Sequence, residues 1–276
     1  LGYILKENHQ KLLTAADQKR QYPEKTIEEC LTRIHRYTQL FAFREKDYLL
    51  QHAYASEYID TLCASLGVVY RQNHPDRVQK RVQKKHLAIL MWRLNPQGGG
   101  VFREIDELVR IYKDWQIKII ITDRTYDIEE TRKVWQDVPH IQLVKVPEDC
   151  TDRLDFISQE LCAFEPEKLY DYCGHVDVFS TAAIQPGVCR NICLFSYDHG
   201  YLTGLYNPFL TWIVAKRPAD YTLLTNTFGK GKILYIPTWN IVKPFGDLEY
   251  QPFQGHDRLV TASGTARFYK LCGLCD

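Results

Sequence analysis

Three short stretches of the chain concentrate the residue types that do chemistry. The first is Arg93-Leu-Asn-Pro-Gln-Gly98-Gly99-Gly100-Val101. Three glycines ahead of a helix let backbone N–H groups approach an anionic group with the helix dipole behind them, and a nucleotide phosphate is the natural ligand. The same glycines would equally serve a flexible turn. A dinucleotide fingerprint needs Gly-x-Gly-x-x-Gly, and Arg103 stands where the third glycine belongs. No Gly-Lys-Ser/Thr follows, which excludes a Walker loop. Asp123, at the end of the next apolar run, occupies the place of a ribose-binding acid and equally that of a helix cap.

The second stretch is Leu194-Phe-Ser-Tyr-Asp198-His199-Gly200-Tyr-Leu-Thr203-Gly204. A histidine can move a proton near neutral pH or, when charged, meet a phosphate. The adjacent Asp198 would tune it, and Gly200 and Gly204 would let a substrate come close. The third is Ile213-Val-Ala-Lys216-Arg217-Pro218-Ala-Asp220-Tyr221. Arg217 there can pair with a phosphate or carboxylate, or simply with Asp220. No zinc site is expected. Cys272-Gly-Leu-Cys275 is a lone Cys-x-x-Cys, Cys173 and His175 stand near one another, and Cys189 and Cys193 flank a strand start, but no second pair completes four ligands. No Gly-x-Ser-x-Gly elbow supports a Ser-His-Asp mechanism.

The elements that must position these residues follow from periodicity. His86 to Trp92 is a short apolar run suited to a strand buried on both faces, and Ile105, Leu108, Val109 and Tyr112 form a helical stripe over 101–115. Further strands are expected at 117–121, 141–146, 176–179, 192–195 and 232–236, with one ending at Lys216, and helices at 127–136, 151–164 and 220–228. Strand–helix alternation of this kind defines an α/β fold: a Rossmann-like, mostly parallel sheet with helices on both faces. Ahead of it, residues 1–70 read as helical. Thr26-Ile-Glu-Glu29 has the form of a capping box, and a second periodic stretch from Tyr48 to Leu66 ends at Gly67, in the position of a C-cap. Residues 71–86 form a basic connector (Arg71, Arg77, Lys80, Arg81, Lys84, Lys85). It is read as a solvated face or as a surface for a protein partner or an anionic membrane.

Composition bounds the rest. With 35 Lys plus Arg against 34 Asp plus Glu, the near-neutral chain has no general nucleic-acid-coating character, and no nucleic acid is expected as a partner. No run approaches the roughly 18 apolar residues of a spanning helix. An odd number of cysteines, 9 in all, spread along a chain of this size suits reduced thiols, so a cytoplasmic location is expected, peripheral at a membrane if residues 71–86 dock there.

The combination resembles the N-terminal domain of GT-B glycosyltransferases. The Arg93–Val101 loop opening a helix resembles the first loop of that domain. Asp198-His199-Gly200-Tyr-Leu-Thr-Gly204 is similar to the Asp-His-x-x-x-x-Gly pattern of some bacterial members. Residues 215–221 followed by 232–237 look like its closing helix and strand. The match runs from about residue 87 to 240 and is superfamily-level. It implies an acceptor-side domain over 87–245, and a linker with the start of a truncated C-terminal domain over 246–276, where Leu259–Lys270 resembles that domain's first strand and loop. The resemblance further implies a nucleotide-sugar donor as substrate, an unidentified acceptor and no essential cofactor or metal. Within it, Gly98, Gly99, Gly100, Arg93, Gly200, Thr203, Gly204 and Arg217 would face the donor phosphates or line the cleft, and His199 with Asp198 would take the acceptor's proton. On this reading the chain, which begins at Leu1 and ends at Asp276, is a fragment that does not catalyse alone. Two rival readings stay open: an NAD-type nucleotide-binding oxidoreductase domain built on the glycine loop and Asp123, and a non-catalytic module that binds a partner or membrane surface.

Overall fold

Leu87-Ala-Ile-Leu-Met91 has no polar side chain, so a strand made from it must be covered on both faces. The computed structural model, which describes residues 24–44, 55–79, 81–97, 100–172, 177–195 and 202–237, places that strand in the middle of a seven-stranded sheet. The strands are β1 (Gln83–Met91), β2 (Gln116–Ile121), β3 (Ile141–Lys145), β4 (Pro166–Asp171), β5 (Asn191–Phe195), β6 (Trp212–Ala215) and β7 (Ile233–Tyr235). Their order is β3-β2-β1-β4-β5-β6-β7, and every neighbouring pair is parallel. This is the expected α/β, Rossmann-like arrangement.

The period-2 alternation of β1 divides the interior. Leu87, Ile89 and Met91 pack with Ile105, Val109, Ile117 and Trp135, while Ala88 and Leu90 join a larger core on the opposite face. The first face is covered by α3 (Gly100–Ile111) and α4 (Glu129–Val134). The second is covered by α1 (Glu24–Arg44), α2 (Glu57–Asn73), α5 (Arg153–Phe164), α6 (Val178–Ala183) and α7 (Pro218–Phe228). Ile27, Leu31 and Ile34 of α1 and Ile59, Leu62 and Leu66 of α2 belong to the same core as Leu169, Ile192 and Ile213 of the sheet. The helical front is therefore part of the sheet's second layer, not an appendage beside it.

Several local expectations are corrected. Thr26 lies inside α1, two residues after its first residue, so it does not cap that helix. Gly67 does not close α2, which continues to Asn73 and begins at a Ser56 cap whose hydroxyl accepts the Ile59 N–H. Gly67 is instead the point where α2 meets α6. A Cβ added there would fall 2.9 Å from the Ala182 carbonyl carbon and closer still to its oxygen. Only glycine permits that approach.

Residues 177–179 are not strand. Asp177 caps α6, its carboxylate accepting the N–H groups of Phe179 (3.0 Å) and Ser180 (3.3 Å). All six residues of α6 are buried, so it has no polar face from which a helical period could be read. β4 is a strand the periodicity did not indicate. It opens on a proline, carries Glu167 and Lys168, and buries only Pro166, Leu169 and Asp171 fully. Finally, residues 71–86 are not one solvated connector. Arg77 pairs with Asp155 of α5 at 3.0 Å, and Lys84 and Lys85 form the exposed beginning of β1.

Candidate functional site

In an open parallel sheet, ligands bind beyond the carboxyl ends of the strands, at the point where the winding reverses. Here the order runs 3-2-1 in one direction and 4-5-6-7 in the other, so that point lies between β1 and β4. The residues at its rim are Trp92 and Arg93 after β1, Thr122 and Asp123 after β2, and Tyr172 after β4.

The segment after β1 is built to a fixed path. The buried Leu94 offers its carbonyl to both the Tyr126 hydroxyl and the Thr131 hydroxyl at 2.6 Å, and the Gln97 N–H closes a short turn on Asn95 Oδ1 at 2.9 Å. Arg93 donates through Nε to Asp123 Oδ2 and lies 4.8 Å over the Trp92 ring, with half of its side chain in water. Asp123 Oδ1 accepts from both the Thr125 N–H (2.9 Å) and the Thr125 hydroxyl (2.8 Å). Burial pushes the Asp123 carboxyl up, but the bonds from Thr125 and Arg93 outweigh it and hold the group below its ordinary value. A ribose at Asp123 would have to displace Arg93 or share its oxygens.

Gly98, Gly99, Asp198, His199 and Gly200 lie outside the described residues. Gly100 opens α3, and a Cβ placed there would meet nothing within 4 Å. Among the described residues, no packing contact requires glycine at that position. Gly204 differs: its φ is +91°, and a Cβ would press on Thr181 Oγ1 at 3.0 Å, so the fold itself demands glycine. Thr203 is buried and donates to the Asp177 carbonyl at 3.3 Å. Arg217 forms a two-toothed pair with Asp220 at 2.9 and 2.8 Å, the structural alternative raised for it. Among the expected site residues, the structure therefore joins Arg93 to Asp123, sets Thr203 and Gly204 in the buried wall, and places Arg217 at the start of α7.

Three groups absent from the sequence-based site, Glu104, Tyr172 and Asp60, occupy the same edge together with Lys216, which is noted there in the sequence only as a strand end. Lys216, directly after β6, donates to Glu104 of α3, and the Tyr172 hydroxyl donates to the same oxygen, Oε1, at 3.2 Å. Both charged side chains are almost wholly enclosed, at 6% and 7% exposure. The Lys216 ammonium also lies 4.8 Å over the Phe195 ring, which stacks on Tyr172. Burial lowers the affinity of Lys216 for its proton, and Glu104 works against that shift. On the opposite face, Asp60 of α2 accepts the Gly204 N–H at 2.8 Å and the Tyr206 N–H at 3.0 Å. A charged residue inside an apolar helical stripe (Glu104 beside Ile105, Asp60 beside Ile59) is the signal that would have marked both acids.

His35 of α1 adds an aromatic contact at the rim, edge-on to Trp92 at 5.9 Å. Near it Arg153, at the start of α5, lies 3.6 Å over Phe179 and is held by Glu28 of α1 at 2.8 Å. The helical front thus reaches the carboxyl edge of the sheet. Among the described residues, no cluster of three or more His, Cys, Asp or Glu could hold a metal ion, and no helix is long and apolar enough to cross a membrane.

The chain is an α/β protein with a Rossmann-like, wholly parallel sheet and its edge residues gathered at one switch point. No family model and no curated protein matches it.

Proposed function

We propose that the chain is the acceptor-side, N-terminal domain of a GT-B-type glycosyltransferase, which moves a sugar from a nucleotide sugar to an acceptor hydroxyl. The observation that carries the reading is the winding of the sheet. It reverses once, between β1 and β4, and the glycine-rich stretch that follows β1 in the sequence precedes α3, where a Cβ on Gly100 would meet no described atom within 4 Å.

In this reading the acceptor hydroxyl attacks the anomeric carbon of the donor sugar and the bond to the diphosphate breaks, its electron pair leaving with the phosphate oxygen. His199 takes the hydroxyl proton, with Asp198 orienting its ring. The N–H groups around Gly98–Gly100 and the α3 dipole meet the departing charge, and Arg93 turns from Asp123 toward it. Arg217 is a supporting cation if it exchanges Asp220 for phosphate.

The test is transfer from a panel of UDP- and GDP-sugars by the full-length protein. His199→Ala is expected to lower turnover by about 10²-fold or more. Wild-type turnover in that variant removes His199 from the mechanism, and the absence of transfer or donor hydrolysis in the wild-type protein removes the reading.

A further inference from the structure

In the proposed chemistry Arg93 has to move, and Asp123 is the group it has to leave. The backbone beneath the pair is pinned. The Thr122 N–H donates to the Met91 carbonyl at 2.8 Å and the Asp123 N–H to the Trp92 carbonyl at 3.2 Å, which continues the β1–β2 pairing past the last residues of both strands. On the far side of Arg93, the Leu94 carbonyl accepts from the Tyr126 and Thr131 hydroxyls at 2.6 Å. Movement at this position is therefore left to the arginine side chain.

The two side chains are unequal partners. Asp123 has only 9% of its side chain exposed, and its Oδ1 keeps both the Thr125 N–H and the Thr125 hydroxyl. The acid thus retains two donors whether or not the arginine is present. Arg93 is 51% exposed, reaches Asp123 Oδ2 through Nε and lies over the Trp92 ring. An ion pair open to water on one side is weak and exchangeable. A diphosphate carries more charge than a carboxylate and can take two guanidinium N–H groups at once. We infer that Asp123 is a displaceable counter-ion: it holds Arg93 until a diphosphate takes the guanidinium, and takes it back as that ligand leaves.

The consequence is a limit on affinity. A ligand that gains Arg93 must first break the contact with Asp123, so the acid weakens diphosphate binding and hastens release without touching the ligand. The inference rests on the glycosyltransferase reading for its ligand, the diphosphate of the donor. It gives Asp123, which that reading leaves without a task, a cation to exchange in place of a ribose to bind.

The experiment is calorimetric titration of the full chain with inorganic pyrophosphate. Asp123→Asn isolates the contact: Oδ1 still accepts from Thr125, while the amide nitrogen in place of Oδ2 meets Nε donor to donor and releases it. That variant is expected to bind pyrophosphate about fivefold more tightly, the worth of a half-exposed ion pair. Arg93→Gln is expected to bind about tenfold more weakly, and adding Asp123→Asn to it to change nothing further. Tightening of equal size in both backgrounds would mean simple removal of a like charge and overturns the exchange. Equal or weaker binding by Asp123→Asn overturns it too, as does a wild-type chain that does not bind pyrophosphate. Should Asp123→Asn not fold, the ¹⁵N signal of Arg93 Nε in the wild-type chain decides: it is expected to shift on saturation with pyrophosphate, and an unmoved signal overturns the inference. Glycosyl transfer is read separately, so pyrophosphate exchange at Arg93 without transfer removes the glycosyltransferase reading and leaves Asp123 its role.

Discussion

Replacing Gly67 with alanine tests whether the helical front is seated on α6 as described. Ala is the better helix former by about 1 kcal/mol, so an unconstrained site would gain stability. The contact surface opposes that gain. The new Cβ falls 2.9 Å from the Ala182 carbonyl carbon, and it also collides with the Gln185 amide nitrogen, which donates at 3.0 Å to both the Ala64 and Ala182 carbonyls. Backbone on one side and a buried amide on the other leave no flexible side chain to yield. Overpacking of this kind costs about 3 kcal/mol. Loss of the Gln185 bonds adds about 1 kcal/mol, which the helix-propensity gain offsets. The net expectation is a loss of about 3 kcal/mol, read as a lower midpoint in urea unfolding and a melting temperature lower by roughly 6 to 12 °C. Gly100→Ala is the control, since α3 also begins with glycine there but an added Cβ meets nothing within 4 Å. It should be neutral or slightly stabilising. A Gly67→Ala protein as stable as the control would refute the close seating of α2 on α6.

The buried pair at the end of β6 supplies a second stability test. Lys216→Met, which strands the Glu104 charge, should cost about 3–5 kcal/mol, whereas the double variant Lys216→Met/Glu104→Gln, which keeps an acceptor for Tyr172, should recover most of that loss. A single variant with wild-type unfolding would show the pair to be solvated. The Asp155 carboxyl gives a pH test. Burial raises it, but the bonds from Tyr70, Arg77 and Gln159 prevail and hold it below its ordinary 3.8. Its folded value is depressed, so its contribution is present above the ordinary value and disappears as pH falls through the folded one. The difference in unfolding free energy between wild type and Asp155→Asn should stay constant from pH 7 to pH 5 and close below about pH 4. A gap that persists at pH 2.5 would refute the assignment.

Most of the sheet was legible because its strands are short apolar runs between turn residues. Ile117–Ile121 and Ile141–Lys145 were readable in this way, and the strand before Lys216-Arg217 was recognised by the two cations at its end, one residue beyond its last residue, Ala215. What escaped did so for two physical reasons. α6 and β4 lack the contrast between a wet and a dry face that periodicity measures, one being wholly buried and the other interleaved with Glu167, Lys168 and Tyr170. Gly67 has a role set by a residue 115 positions away (Ala182), and spacing within a helix carries no trace of that contact. The site divides in the same manner. The glycine loop and Asp123 announce themselves by position after a strand, whereas Glu104, Lys216 and Asp60 matter through partners 112 and 144 positions distant in the chain.

The joining of α1 and α2 to the sheet also has a consequence for how the chain is made. Ile27, Leu31 and Ile34 are made before the sheet, yet they share a core with Ile192, Ile213 and Ile233, which follow much later in the chain. The central strand β1 likewise lacks its partner β4 until residue 171 has been added. Apolar stripes on these two helices must therefore stay without their final cover until the last strands of the sheet are made. A chain with such distant pairings folds slowly and exposes aggregation-prone surface while it waits. Shielding by a chaperone should matter most in the interval after α1 and α2 have been made and before β5 to β7 follow.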